Sequence, residues 1–393
     1  MTSSASTPIG QKRRKILITN IGAELYGSDR VVLETVATLS ETGDSVVVTL
    51  PEAGPLTALI EERGGRPVIV PTAILRKSAL RPGGFARLVK NAITGMWPAV
   101  SLIRRERPDV IIVNTIVSPL WLVAARLTRT PVVTHVHEAE TAGSALIRRG
   151  LTLPQLLADK LIVNSEFSRD VLATSWRSLA RRSVVVYNAV AGPPDVTEPR
   201  ANLSGPIRLL YVGRLSPRKG PDVAIDAVSV LAERGIDAEL DLVGAVFSGY
   251  EWFERDLREQ VMAHGLGDRV RFHGFSNDIW PFVERSDICI VPSTADEGFG
   301  NTAIEAALAG RPLIVSAAGG LLEATASLRT SIGVPRCSPR SIADAVETMR
   351  NHWEEYASHA TADAAKTAER YSSARYARGI LKVITSVAGS PRS

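Results

Sequence analysis

The chain has 393 residues, 45% of them hydrophobic, with 46 Lys+Arg against 41 Asp+Glu and a formal net charge of +5. With a mean hydropathy of +0.07, it has enough apolar content for two α/β domains with separate cores and too little for a membrane-embedded bundle. No apolar run approaches the roughly 20 residues that span a bilayer, Met1 to Gln11 lacks an apolar signal core, and Cys289 and Cys337 have no ligand spacing; a cytoplasmic protein with reduced thiols is predicted, Cys289 being a small core residue.

Charge is unevenly spread. Residues 1–200 carry 25 Lys+Arg and 17 Asp+Glu, whereas residues 201–393 carry 21 and 24. A basic first half suits an anionic partner, such as a phospholipid surface or a pyrophosphate-linked acceptor, or is simply an excess of surface arginine. Nucleic acid is not expected, because neither a helix-turn-helix nor an aromatic-basic RNA motif is present. The tail before Lys15 should be disordered, with Lys12 to Lys15 as a solvated flank.

In chain order, Lys15 to Asn20 reads as a strand, followed by a loop with Gly22 and Gly27 and a helix for which Ser28 and Asp29 are N-cap candidates. Further strand-like runs lie at 45–50, 67–70, 109–114, 131–136, 160–164 and 183–187, alternating with helical segments. Such alternation predicts a doubly wound parallel sheet whose ligands sit at the carboxyl ends of the strands. His135, His137 and Glu138 fall at one of those ends. From the residues alone, HVHE is either half of a metal site or a histidine packed at a strand end.

Arg76 to Lys90 mixes five cations with apolar residues around a Pro-Gly-Gly break, which reads as a helix–loop–helix or as an amphipathic segment for an anionic surface. Ser165 is a structural cap. Residues 191–206 lack periodicity and read as a linker.

The second half opens with the strand Ile207 to Val212, then Gly213, Arg214 and, after LSPR, Lys219 and Gly220. Arg214 offers a planar fork and Lys219 a compact charge, a pair suited to a diphosphate. Gly244 ends the next strand and is a candidate for close backbone approach to a ligand. Phe275 follows another strand, and the glycines of AAGGL (317–321) could line a cleft. Between these lies VPSTADEGFGNTAIEAALAG (291–310), read as strand, loop and helix. Gly298 and Gly300 turn the backbone so that the amides of Gly300, Asn301 and Thr302 face an anion. Glu297 and Glu305, with seven residues between them, bracket this loop as acceptors for hydroxyl groups on either side of a phosphate.

EGFGNTAIEAALAG resembles the E-x7-E element of the retaining family-4 glycosyltransferases of the GT-B fold, and YVGRLSPRKG is similar to that family's Arg and Lys donor motif. The resemblance implies two Rossmann-like domains, 15–190 and 207–370, facing a central cleft, with 371–393 crossing back to the first. It also implies a nucleotide-sugar co-substrate carrying GDP, UDP or dTDP, and a saccharide or polyprenyl-linked lipid acceptor. A role in cell-envelope polysaccharide or glycolipid assembly and a retaining outcome follow from the same likeness. By that likeness Arg214, Lys219, Glu305, Gly298, Phe299, Gly300, Asn301, Thr302, Gly213, Gly244 and Phe275 hold the nucleotide, and Glu297 and His137 orient the sugar, with His135 the second choice. Gly22, Gly27 and Ser28 stand near the phosphates and the acceptor. The family's Asn-Gly dipeptide is Asn188-Ala189 here, so that turn is expected to differ.

No two aspartates are separated by a single residue, so no Asp-x-Asp metal motif is present and metal-independent transfer is expected. Three competing readings are a non-hydrolysing nucleotide-sugar epimerase, a non-catalytic partner protein of the same fold, and a dinucleotide enzyme suggested by G-x-G-x-x-A at Gly298, Gly300 and Ala303. The last lacks its acid near 316–320.

Overall fold

The computed structural model describes residues 13–23, 27–70, 82–139, 141, 144–247 and 249–389, with no side-chain description for 82–93. The chain divides into two compact units, one of residues 1–189 with 373–393 and one of residues 190–372. Each is an α/β unit with its own parallel sheet.

In the first unit the strands are β1 (Lys15–Thr19), β2 (Ser45–Leu50), β3 (Arg66–Ile69), β4 (Val110–Val113), β5 (Val132–Val136), β6 (Lys160–Val163) and β7 (Ser183–Val185), in the order β3-β2-β1-β4-β5-β6-β7. Each of the seven runs expected from the sequence is a strand. Alternation along β1 shows why both faces must be covered: Ile16 and Ile18 join one apolar cluster and Leu17 the other. Strand order reverses between β1 and β4, so a crevice opens at their carboxyl ends.

The helix Ser373–Ala388 belongs to this unit. It buries Tyr376, Ile380, Val383, Ile384 and Val387 against the same cluster as Val31 and Val36 of the helix Gly27–Glu41. Burial of each aliphatic side chain contributes up to roughly 1.5–3 kcal/mol, which explains why a segment so distant in sequence docks here.

In the second unit the strands are β8 (Ile207–Val212), β9 (Ala238–Val243), β10 (Val270–Gly274), β11 (Ile288–Val291), β12 (Leu313–Ser316) and β13 (Ser331–Val334), in the order β10-β9-β8-β11-β12-β13. The reversal falls between β8 and β11. Here Leu209 and Tyr211 face one cluster while Leu210 faces the other. Cys289 is buried in the second cluster, which pushes its thiol up to about 11, while Cys337 is exposed.

Several local expectations change. Arg14 is no solvated flank: its guanidinium forks onto the buried Asp44 carboxylate at 2.6 and 3.1 Å. Ser28 and Asp29 are not N-caps, because the helix already includes Gly27 and both lie in its first turn. The Pro-Gly-Gly of 82–84 starts a helix, Pro82–Glu106, rather than breaking one, as suits a proline in a first turn whose amides lack helical partners. Residues 76–81 of that amphipathic segment lie outside the described residues, as do the side chains of 82–90 and the tail before Arg13.

Residues 191–206 are tied to the second unit rather than hanging free. Arg200 pairs with buried Asp287 at 2.5 Å, and the fully buried Arg311 donates to the Thr197 carbonyl at 2.7 Å. Ala189 takes no left-handed backbone; among the described residues only Arg107, Arg129 and Cys337 do so with a side chain.

Candidate active site

Three loops at the carboxyl ends of β8, β11 and β12 are pressed together in the second unit. Glycine makes this possible at Gly220, whose φ is +69° and where a Cβ would stand 2.2 Å from the Pro292 carbonyl. The loop after β8 is then stitched to the loop after β11: Thr294 N donates to the Arg218 carbonyl at 3.0 Å, and Thr294 Oγ1 donates to the Pro217 carbonyl at 2.7 Å. On the other side Gly320 N donates to the Glu297 carbonyl at 2.8 Å, and a Cβ on Gly320 would meet the Gly298 oxygen at 2.4 Å.

That packing delivers the side chains the sequence singled out. Lys219 Nζ lies 2.9 Å from Glu297 Oε1, which also accepts from Ser293 Oγ at 2.9 Å. Glu297 is only 8% exposed. Its charge is matched by one cation, and one of its oxygens holds two donors. Arg214 lies with its guanidinium carbon 3.5 Å from the centre of the Phe247 ring, and its carbonyl accepts from the buried Tyr211 hydroxyl at 2.7 Å. Burial, then the nearby Glu297 and Asp222 charges, push that phenol well above its usual value, with Arg214 opposing. Arg214, Lys219 and Glu297 therefore share one neighbourhood at the switch point of the sheet.

The helix after the glycine turn runs Asn301–Leu308, with Gly300 left-handed at its N-cap (φ +106°). Glu305 and Thr302 border a small gap of about 10 Å³, room for a single water, whose other walls include Leu210, Val212, Ile279 and Val283.

Other predicted residues find different reasons for being where they are. Phe299 is buried, its ring edge-on to Tyr371 at 5.4 Å, so it packs the loop and leaves only its backbone for a ligand. Gly244 makes a close backbone approach, but to protein: a Cβ there would stand 1.8 Å from the Gly213 carbonyl. Gly213 likewise lies beside Tyr211, whose hydroxyl would be 3.3 Å from a Cβ built on it. Phe275 is 60% exposed just past Gly274, whose carbonyl accepts from Gly244 N at 2.8 Å.

Further contributors escaped the sequence reading, Ser293 beside Glu297 among them. Phe247, three residues past Gly244, supplies the face on which Arg214 rests. Asp296 is clamped by Arg218, which donates to its carbonyl, and by Arg336, which pairs with its carboxylate and donates to the Ala317 carbonyl at 2.9 Å. Arg218 thus fixes the residue next to Glu297. The adjacency of Asp296 to Glu297 was a usable signal; Arg336 carried none.

In the first unit, taken by itself, the carboxyl ends of β1, β4 and β5 carry Asn20, Asn114 and His137. His137 Nε2 lies 2.8 Å from Asn114 Oδ1; Asn114 Nδ2 donates to Asn20 Oδ1 at 3.0 Å; Asn20 Nδ2 donates to Asp29 Oδ1 at 2.8 Å and to the Gly22 carbonyl at 3.0 Å. Gly22 thus takes part through its backbone. Gly27 is exposed and Ser28 half-buried at the helix start beside Asp29.

His135 is fully buried, its ring 4.2 Å from that of His137 and without a hydrogen-bond partner among the described residues. Burial, and then the His137 charge, hold it well below 6.5, whereas burial alone brings His137 down to about 4. Of the two, only the half-buried His137 is open to a ligand. Glu138 turns back to accept from Thr115 Oγ1 and from the His137 amide at 3.2 Å. Among the described residues no three His, Cys, Asp or Glu side chains converge as metal ligands.

Comparisons with known proteins agree with this architecture. The profile of "Glycosyl transferases group 1" matches residues 193–367 and that of "Glycosyltransferase Family 4" matches residues 26–191. The chain is 29% identical over 266 residues to the glycogen synthase of Mycobacterium tuberculosis, a stretch covering 63% of this chain and 61% of that protein. It is 27% identical over 306 residues to the 2-deoxystreptamine glucosyltransferase of Streptomyces kanamyceticus, covering 67% and 76%. Among solved structures, Anabaena HepE in complex with UDP and glucose superposes with a TM-score of 0.79 at 21% identity, over 95% of this chain and all of that one. The lipopolysaccharide outer core galactosyltransferase WaaB superposes with a TM-score of 0.72 at 17% identity, over 95% and 99%.

Two parallel-sheet units with these neighbours define a GT-B fold. The chain belongs to the glycosyltransferases that these two adjoining family models describe, one model matching each half. It spans about three fifths of the length of the first curated relative.

Proposed function

We propose that the protein is a retaining, metal-independent glycosyltransferase that moves a hexose or deoxyhexose from a nucleoside-diphosphate sugar to a saccharide or lipid-linked acceptor. The observation that carries this is the convergence of Arg214, Lys219 and Glu297 on loops packed at the β8/β11 switch point. Two cations there suit a diphosphate, and they stabilise the negative charge that grows on it as it leaves. Fixed cations and the start of the Asn301 helix take the part a divalent ion would otherwise play toward the phosphates. In the free protein Lys219 is held by Glu297; a bound diphosphate gives it a second anionic partner and leaves Glu297 to accept from a sugar hydroxyl. Glu305 is assigned to the ribose.

Glu297 Oε1, already accepting from Ser293 and Lys219, is better arranged to orient a ligand than to attack it. This supports same-face substitution over a double displacement through a carboxylate nucleophile. The UDP and UDP-glucose complexes of HepE make a uridine donor the first to try. Release of nucleoside diphosphate from a panel of nucleotide sugars, with and without acceptor and chelator, tests the proposal. No release from any donor, or a tenfold loss in chelator restored by magnesium, overturns it.

For the acceptor side, the first unit exposes Leu146 (80%), Trp97 (73%) and Leu127 (62%) in a basic half of the chain. No described helix is long and apolar enough to cross a membrane. These features support action at the cytoplasmic surface of an anionic membrane, in envelope polysaccharide or glycolipid assembly. Cosedimentation with anionic but not neutral vesicles checks that assignment.

A further inference from the structure

The Asp29–Asn20–Asn114–His137 row contains more information than its distances. An asparagine amide can present either its oxygen or its NH₂ to a neighbour, and a neutral histidine can carry its proton on either nitrogen. Here the choice is made at one end. Asn20 faces the Asp29 carboxylate at 2.8 Å and the Gly22 carbonyl at 3.0 Å from the same terminal atom. Both neighbours only accept, so that atom must be the nitrogen.

Asn20 then turns its oxygen to Asn114, 3.0 Å away, which must answer with its own nitrogen. This leaves the Asn114 oxygen facing His137 Nε2 at 2.8 Å. An oxygen acceptor at that distance requires Nε2–H. In a neutral ring the other nitrogen is then a lone pair.

We propose that Asp29, Asn20 and Asn114 are positioning residues that hold His137 as its Nε2–H tautomer, so that Nδ1 receives a hydrogen bond from a hydroxyl of the bound sugar. The inference rests on the reading of His137 as a sugar contact. It narrows the ligand group there to a neutral donor: a lone pair accepts from a hydroxyl and repels a phosphate or carboxylate oxygen. Burial agrees with it, since the ring is held neutral down to about pH 4. The other titratable groups around it are His135, whose ring lies 4.2 Å away and tilted by 39°, and Glu138, whose carboxylate accepts from the His137 amide and from Thr115.

The test uses ¹⁵N-histidine-labelled full-length protein, with the His137 resonances assigned by their loss in His137→Gln. The wild type is expected to show a protonated Nε2 and an unprotonated Nδ1 near neutral pH. An Nδ1–H tautomer or an imidazolium there overturns the proposal without any variant in the row. Asn20→Leu removes the anchor, so the Asn114 amide is free to turn; a shift of the His137 pair toward the other tautomer is expected, and an unchanged pair overturns the relay. In Asn20→Leu, kcat/KM for the nucleotide sugar should fall about tenfold or more while nucleoside-diphosphate affinity stays within twofold; an unchanged kcat/KM overturns the positioning role. A correct tautomer in a protein that turns over no nucleotide sugar would leave the relay standing and remove the transferase reading.

Discussion

The two units use the same strand order and the same reversal point for opposite chemistry. At the ends of β1, β4 and β5 the groups are amides and uncharged imidazole, joined in a row with Asp29 at its far end. Past the ends of β8, β11 and β13 they are ions, Lys219 against Glu297 and Arg336 against Asp296, and the loops after β8, β11 and β12 touch backbone to backbone at glycines. The sheet supplies a crevice in both cases. What lines it is decided by a few residues just past each strand, so one architecture carries neutral hydrogen-bonding groups in one unit and paired ions in the other.

The contrast can be broken most severely through the backbone. Gly244→Ala would push a methyl group to 1.8 Å from the Gly213 carbonyl at a φ of +150°, and neither neighbour is a side chain that can move. A loss on the order of 4 kcal/mol is expected, seen as an early melting transition of residues 190–372, with the first unit unfolding at its wild-type denaturant concentration. If the variant melts like wild type, the packing of β8 against β9 is looser than described.

Removing the ion at the centre of the second site comes next. Lys219→Ala should weaken nucleoside-diphosphate binding by about 10- to 150-fold, the equivalent of one charge-assisted hydrogen bond of roughly 1.5–3 kcal/mol. Glu297→Gln should bind the diphosphate normally and lose most turnover. Titration calorimetry with UDP, GDP and dTDP reads both, and equal affinity in wild type and Lys219→Ala would remove the lysine from the site.

A smaller effect separates the units by pH. Burial lowers His137 from 6.5 to about 4 in the folded protein. Between those values the unfolded chain binds the extra proton and the native state does not, so this histidine's contribution is present above 6.5 and is lost as pH falls toward 4. Glu138 works the other way, because burial raises it above 4.5 and the fold gains as it takes up a proton. The difference in denaturation free energy between wild type and His137→Gln isolates the first term. It should shrink on acidification from 6.5 toward 4, and a difference independent of pH would show that the ring is not desolvated as described.

The smallest expected effect is at the clamp. Arg336→Ala removes a partly exposed ion pair and should cost about 0.5–1 kcal/mol of stability, yet it frees the residue next to Glu297. A several-fold loss in kcat with little change in Tm would sharpen the distinction between holding the loop and holding the ligand.

Much of this was legible before any coordinates. Strand-period runs bounded by turn residues located all seven strands of the first sheet, because burial on both faces demands uninterrupted aliphatic segments. Arg214, Lys219 and Glu297 were legible because charges and glycines beside strand ends have little structural reason to be there. Gly244 and Phe299 were read as ligand contacts when each answers to a neighbour: a glycine needed by a passing backbone and an aromatic needed by a core look the same in sequence as ones needed by a nucleotide.

What the sequence determined by itself was the periodicity of the elements and the chemistry available at their ends, since both are local properties. Only the tertiary structure decided which ends meet. Asp29 and His137, or Asp296 and Arg336, are joined by hydrogen bonds whose specificity lies in distances of a few ångströms between atoms that the chain alone leaves far apart.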